Sequence, residues 1–437
     1  MSSKTYFLKS FIQVLGFYLK LILTIFLLLL TYLFLIFLTN GCWQGRLAAI
    51  LATLLAVGCY TLFQRNKKNI SGYRLYSLRI MLVAFIAALI YTVYPVASTN
   101  QPKPAIDFSQ VPTRFWNLKT GSKIAYYHIM AANSAPKKTT PIIFLHGGPG
   151  AYVRKLDLTF FAKFAQDGYD VYLYDQAGSG RSSLLPKEEY SHARNIVDFE
   201  AIIDQIGANK YIVIGQSYGG SLLAHLTANE KTSKRIFKAI YAEPGITVLS
   251  HDTAILAKSP NAGLETVTLP GRLFLGMMIN PKGGFNSQNE SINYTLAHPE
   301  LIQGLFQQSF PKTDRKRIPL VETGVINFSV IGIVPAQVSQ YNTHQEGDYK
   351  KFKVPSMLML GESSYIDRQA PMDLLRINPN IQRVQYFKGV GHILWNGLDN
   401  HNEQVKKAID EFLNNQEPGL PNYPQKNDIN SFLVQKL

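Results

Sequence analysis

Residues 211–220 constrain the fold of this chain more tightly than any other stretch. Tyr211-Ile212-Val213-Ile214 is a short apolar run, and Gly215-Gln216-Ser217-Tyr218-Gly219 follows it directly, with a further glycine at Gly220. A buried strand that turns sharply into a helix crowds its apex, so only small residues fit on either side of a serine held there. Ser221-Leu222-Leu223-Ala224-His225-Leu226 is compatible with the helix that this geometry requires. In such a strand–turn–helix the hydroxyl projects from the end of a sheet, which makes Ser217 the candidate nucleophile.

Suitable partners lie on both sides. Upstream, the strand-like Pro141-Ile142-Ile143-Phe144-Leu145 leads into His146-Gly147-Gly148-Pro149-Gly150. Glycines leave backbone N–H groups unshielded, so one from Gly147 or Gly148, together with that of Tyr218, can bind the oxyanion of a tetrahedral intermediate. Downstream, Gly389-Val390-Gly391-His392 follows a strand-like run, and His392 is the candidate general base. His146 is expected to orient the glycine loop, and Asp175 and Arg181 to brace a neighbouring one.

The segments His146-Gly-Gly-Pro-Gly150, Tyr174-Asp-Gln-Ala-Gly-Ser-Gly-Arg-Ser182, Gly215-Gln-Ser-Tyr-Gly219 and Gly391-His392 together resemble an α/β-hydrolase of the proline iminopeptidase-like group. The likeness covers roughly residues 115–415. It implies a mainly parallel sheet flanked by helices, a helical cap, a serine nucleophile, and no metal or organic cofactor. The peptidases of this group usually carry Trp after the nucleophile and Arg at the position of Ala177, whereas this chain has Tyr218 and Ala177. The group's acid usually falls three residues after the glycine that ends the strand-like run Ser356–Leu360, here Gly361, and Ser364 occupies that place. Asp367, in the same loop, is the expected acid; Glu362 at the end of that run and Glu243 after the strand-like run Phe237–Tyr241 are the rivals.

The chain is basic overall, at +15, but the charge is unevenly distributed. Residues 1–99 hold nine Lys or Arg and no Asp or Glu. Those cations flank apolar runs, as in membrane proteins, and form no tract suited to nucleic acid. Apolar segments at 11–38, 46–63 and 77–97 predict about three transmembrane helices, the second of them short for a bilayer. Lys4 and Lys9 precede the first; Arg46 alone lies between the apolar cores Leu21–Leu38 and Leu47–Phe63, and Arg65, Lys67, Lys68, Arg74 and Arg79 lie between Leu47–Phe63 and Met81–Val96. The positive-inside rule then places the catalytic part on the extracytoplasmic face, and the opposite face if the second segment does not cross. Cys42 and Cys59 both lie in this region, so the remainder has no thiol and no disulfide.

The expected organisation is a membrane region at 1–99, a linker at 100–114, a first core part at 115–246, a cap at 247–353, a second core part at 354–415 and a tail at 416–437. Strands alternating with helices such as Ala193 to Ile206 argue for an α/β sheet, and the alternation lapses across the cap. The expected function is a membrane-anchored serine hydrolase. The reaction expected first is the one the resemblance implies, release of an N-terminal residue, often proline, from a short peptide by a proline iminopeptidase-like aminopeptidase; the alternative is a carboxylesterase or lipase cleaving lipid or small esters, which a bilayer anchor would bring within reach. A third possibility is a degenerate binding or sensor module, motivated only by Ser364 at the acid position. The expected partners are a small-molecule or peptide substrate and the lipid bilayer, with no nucleic acid.

Overall fold

The computed structural model describes residues 95–103, 111–245, 270, 272–273, 287–307, 309–311, 314–317, 324–338, 345–366, 369–395, 398 and 400–420, with helical positions scattered through 11–34 and at 83 and 86. The chain divides into two compact units, one of residues 1–99 with 269–290, the other of 100–268 with 291–437. The segment expected as a single cap is therefore shared between them. Within the first unit the buried Glu290 carboxylate pairs with Arg272 Nε at 2.7 Å and accepts the Val96 N–H at 3.0 Å, which ties residues far apart in the chain. The three expected transmembrane segments lie mostly outside the described residues. Among those residues, no helix is long and apolar enough to cross a membrane.

The second unit is built on an eight-stranded sheet with the order β1-β2-β4-β3-β5-β6-β7-β8. The strands are β1 (Arg114–Asn117), β2 (Lys123–Ile129), β3 (Ile142–Leu145), β4 (Val171–Tyr174), β5 (Tyr211–Gln216), β6 (Ile236–Ala242), β7 (Ser356–Gly361) and β8 (Ile381–Phe387). β2 runs antiparallel to β1 and β4, and every pairing from β4 through β8 is parallel. β3 and β5 coincide with the apolar runs Pro141–Leu145 and Tyr211–Ile214 to within a few residues. β1 has no clear signature: it is a four-residue edge strand with one buried side chain, Trp116, stacked on Tyr126 at a ring separation of 3.6 Å.

Central strands buried on both faces read as continuous apolar runs, and alternate side chains enter opposite cores. Ile143 and Leu145 of β3 join one cluster with Val213, Leu222 and Phe199, while Ile142 and Phe144 join the other with Ile214, Phe161 and Trp395. The first cluster is covered by α2 (His192–Ile206) and α3 (Tyr218–Ala228), and the second by α1 (Lys155–Gln166) and the C-terminal helix His401–Leu413. Helix α2 starts where expected because the Ser191 hydroxyl accepts the Arg194 N–H, and it stops at Gly207, whose φ of 78° closes the last turn.

The strand order decides where chemistry can occur. The sheet changes direction of growth at β3, which lies between β4 and β5. Such a switch point leaves a crevice beyond the carboxyl ends of the adjoining strands. Leu145 pairs with Gly215 in the parallel register, so the loop beginning at His146 and the turn holding Ser217 leave the sheet side by side.

Candidate active site

Ser217 sits at φ 57° and ψ −121° between β5 and α3, a conformation that L residues rarely adopt. The turn is closed from several directions. Ser217 N–H donates to the Ala242 carbonyl at 3.0 Å, and its own carbonyl accepts Gly220 at 2.9 Å and Gly245 at 3.1 Å. A side chain at Gly219 would place its Cβ 2.1 Å from the Leu145 carbonyl oxygen, so β5, α3 and β3 approach this closely only with glycine there. The strained serine is thus overdetermined by its surroundings, as backbone strain at a functional position must be.

The glycine loop after β3 is held against this turn. His146 Nδ1 lies 2.7 Å from the Gly147 carbonyl, and its Nε2 accepts the Gln176 N–H at 3.0 Å. Those contacts require the neutral ring with the proton on Nδ1. Burial lowers the His146 pKa to about 4, against the opposing hydrogen bond to Gly147, so the ring keeps that form near neutrality. Gln176 Nε2 returns a bond to the His146 carbonyl at 3.0 Å. Asp175, next to it, accepts the N–H groups of Val153 and Arg181 at 2.7 and 2.9 Å. Gly147 and Gly148 line one cavity with Ser217 and His392. The Tyr218 side chain points elsewhere: its hydroxyl meets His192 Nδ1 at 2.9 Å and accepts Asn195 Nδ2 at 2.7 Å, in the core. Only its backbone N–H is available to the turn.

His392 is buried after β8, and its Nδ1 faces two groups. Ser364 Oγ lies at 3.3 Å and Glu243 Oε2 at 3.7 Å. Glu243 follows β6 with φ 49°, its N–H donating to the Met359 carbonyl at 2.9 Å. Its Oε1 accepts the Gly361 N–H at the end of β7. The parallel order β6-β7-β8 therefore brings a carboxylate, a hydroxyl and the imidazole to one edge. Tyr365 packs its ring 4.5 Å from that of His392. His392 Nε2 is buried without a hydrogen-bond partner among the described residues. An imidazole supported at Nδ1 and unpartnered at Nε2 can accept a proton from a group in the cavity.

The other candidate acids fare differently. Asp367 lies outside the described residues. Glu362 directs Oε2 to the Gly389 N–H at 2.8 Å, a bond that fastens the loop carrying His392. The cavity has a volume of about 150 Å³, and its lining includes Phe306, Ile326 and Ile393. Residues 140–260 match the family model described as the α/β hydrolase fold.

The chain has the α/β-hydrolase fold. A proline iminopeptidase from Thermoplasma volcanium is 23% identical over 294 residues, covering 65% of this chain and 93% of the relative. Another, from Clostridioides difficile, is 35% identical over 99 residues, but that match spans 22% of this chain and only 31% of the relative. A probable lysophospholipase L2 from Haemophilus influenzae is 24% identical over 316 residues, covering 70% of this chain and 93% of its own. This α/β-hydrolase is an enzyme of the serine-hydrolase type, with hydrolases of both peptide and lipid name among its relatives.

Tyr365 and Arg154 are among the lining residues that escaped the sequence reading. Tyr365 has no signal beyond its place in the loop after β7. Arg154 lies four residues beyond Gly150, within the same loop as the glycines, and only the folded path of that loop turns it to the cavity.

Proposed function

We propose that this hydrolase cleaves carboxylic esters through an acyl-enzyme, with Ser217 as nucleophile, His392 as base and Glu243 as the acid that supports it. The observation carrying this reading is the position of His392, with Glu243 and Ser364 at Nδ1 and Nε2 unpartnered at the cavity that Ser217 also lines. Ser217 Oγ attacks the ester carbonyl while His392 Nε2 takes its proton. Glu243 stabilises the imidazolium without itself becoming protonated. The carbonyl oxygen, now an oxyanion, receives the N–H groups of Tyr218 and of Gly147 or Gly148. The imidazolium gives its proton to the leaving alcohol as the C–O bond breaks. Water then repeats the sequence on the acyl-enzyme, and the acid leaves with Ser217 restored.

An ester is favoured over a peptide by the lining. Recognition of a free N-terminal amine calls for carboxylates, and the described lining residues include none. A second reading, removal of N-terminal proline, is supported by the motifs shared with the proline iminopeptidase-like group and by the near full-length match to the Thermoplasma relative. We also propose that residues 1–99 anchor the enzyme in a bilayer with the catalytic unit on the extracytoplasmic face. That reading is supported by the distribution of charge and by Phe11, Ile12, Leu19, Ile22, Leu23 and Phe26, described helical positions that expose more than half of their surface. Comparing kcat/KM on p-nitrophenyl esters of several chain lengths with that on proline-β-naphthylamide separates the two reactions. Ester turnover is expected to dominate; efficient release of naphthylamine with inert esters would refute the ester reading.

A further inference from the structure

We infer that Arg154 is an anion-recognition residue of the cavity, so that the substrate carries a phosphate or carboxylate group beside its scissile ester. The inference rests on the ester reading for the reaction but stands on its own observations for the ion. Among the described lining residues Arg154 is the sole lysine, arginine, aspartate or glutamate, and it shares the cavity with Ser217 and His392. Its guanidinium is held from behind. Nε donates to Asp157 Oδ2 at 2.8 Å and Nη2 to Oδ1 at 2.7 Å, with the Phe306 ring centre 5.8 Å from the guanidinium carbon.

Asp157 itself is fully buried and saturated. Besides the two guanidinium bonds it accepts the Arg154 N–H at 2.9 Å and Trp395 Nε1 at 2.8 Å. Its oxygens are therefore committed and offer nothing to a substrate amine. The side-chain bonds of Arg154 to Asp157 use Nε and Nη2 and leave Nη1 out of the pairing. The result is a cation already oriented and partly dehydrated, with donors left over, in a cavity whose other walls are largely apolar. Capping the helix that starts at Lys155 would need only the bond from the Arg154 backbone to Asp157, and accounts for neither the cavity position nor the remaining nitrogen. Planar guanidinium donors suit phosphate and carboxylate oxygens, whereas an ammonium group would meet like charge there.

Binding to the full-length Ser217→Ala protein tests this without depending on turnover. Hexyl phosphate, hexanoate, hexanol and hexylamine are titrated by calorimetry. A charge-assisted hydrogen bond predicts an anion bound at least roughly tenfold more tightly than hexanol, with hexylamine weakest. The order of phosphate and carboxylate identifies which of the two the site takes. Adding Arg154→Met should reduce the anions to the level of hexanol, and Arg154→Lys should retain part of the preference. Because Arg154→Met leaves a buried carboxylate uncompensated, Arg154→Met with Asp157→Asn serves as its neutral counterpart. Hexylamine binding tightest, or an anion preference that survives both methionine variants, would overturn the inference. Anion preference in a protein whose wild type cleaves no ester would support the ion site and refute the ester reading alone.

Discussion

Glu243 and His392 meet at the carboxyl edge of the sheet, with Oε2 of one 3.7 Å from Nδ1 of the other, although one follows β6 and the other follows β8. The second oxygen of Glu243 is fixed by the Gly361 N–H, so the carboxylate is aimed by β7, the strand that separates the two. Ser364 stands at the same ring nitrogen, its Oγ at 3.3 Å.

Glu243→Gln is therefore expected to lose far more activity than Asp367→Asn. Loss of a triad acid leaves the imidazole in the wrong tautomer or unsupported, and costs up to about 10⁴ in kcat. Steady-state kinetics near pH 8, on variants with matched thermal unfolding, decide the matter. A crippled Asp367→Asn beside an active Glu243→Gln would move the acid to the loop after β7.

The turn at Ser217 should tolerate a methyl group in one place and not in another. Gly219→Ala would drive its Cβ into the Leu145 carbonyl oxygen at 2.1 Å, whereas at Gly245 the nearest atoms lie at an ordinary 3.5 Å. Overpacking of this kind costs about 1–3 kcal/mol or more. Chemical denaturation should show Gly219→Ala destabilised by at least that amount and inactive, with Gly245→Ala close to wild type. Equal stability of the two would mean that the β3–α3 contact is looser than described.

Buried titratable groups predict loss of stability in mild acid. Burial lowers the His146 pKa to about 4 and, with the neighbouring His225, lowers that of His192 to about 3, both from 6.5. Burial raises Asp175 from 3.8 to about 6 despite the N–H groups bound to it. Below pH 6.5 the unfolded chain takes up two histidine protons that the folded chain refuses, so these residues stabilise fully above 6.5 and less as the pH falls toward 4. Asp175 acts oppositely, since the folded state takes its proton first, and offsets one of the two between about pH 6 and 4. Taken by themselves, these three groups leave one uncompensated proton between about pH 6 and 4, a loss on the order of 1 kcal/mol per pH unit. Urea midpoints at pH 7, 6 and 5 measure it. In His192→Gln the two remaining contributions nearly cancel, and the dependence should flatten; an unchanged slope would remove His192 from the account.

The anchor and its orientation are open to direct test. Alkaline phosphatase and green fluorescent protein, fused in turn after Gln101, should give an active phosphatase and a dark fluorophore, because five cations lie between the second and third apolar cores and one between the first and second. A fluorescent, phosphatase-inactive pair of fusions would place the catalytic unit in the cytoplasm.

Much of the fold was legible because its central strands are buried on both faces and read as unbroken apolar runs, and because Ser217 and His146–Gly150 carry local signatures that need no long-range information. β1 was not, since an edge strand with one buried residue has no periodicity to detect. The contact of Glu243 with His392 depends on the parallel order of three strands and on the positive φ after Ala242. Neither is written in a motif, so Glu243 stood only as one of three candidates. Arg154 was invisible for a similar reason: its role follows from the path of the loop, and nothing in the residues beside it distinguishes it from any helix-capping arginine.

Every step of the proposed reaction depends on Ser217 as the reactive group. Labelling the full-length protein with a fluorophosphonate and mapping the modified peptide tests it most directly. The predicted result is a single adduct on Ser217 that disappears in Ser217→Ala, with kcat lowered by roughly 10⁴-fold or more. An adduct on Ser182 or Ser221, or labelling that persists in Ser217→Ala, would contradict it.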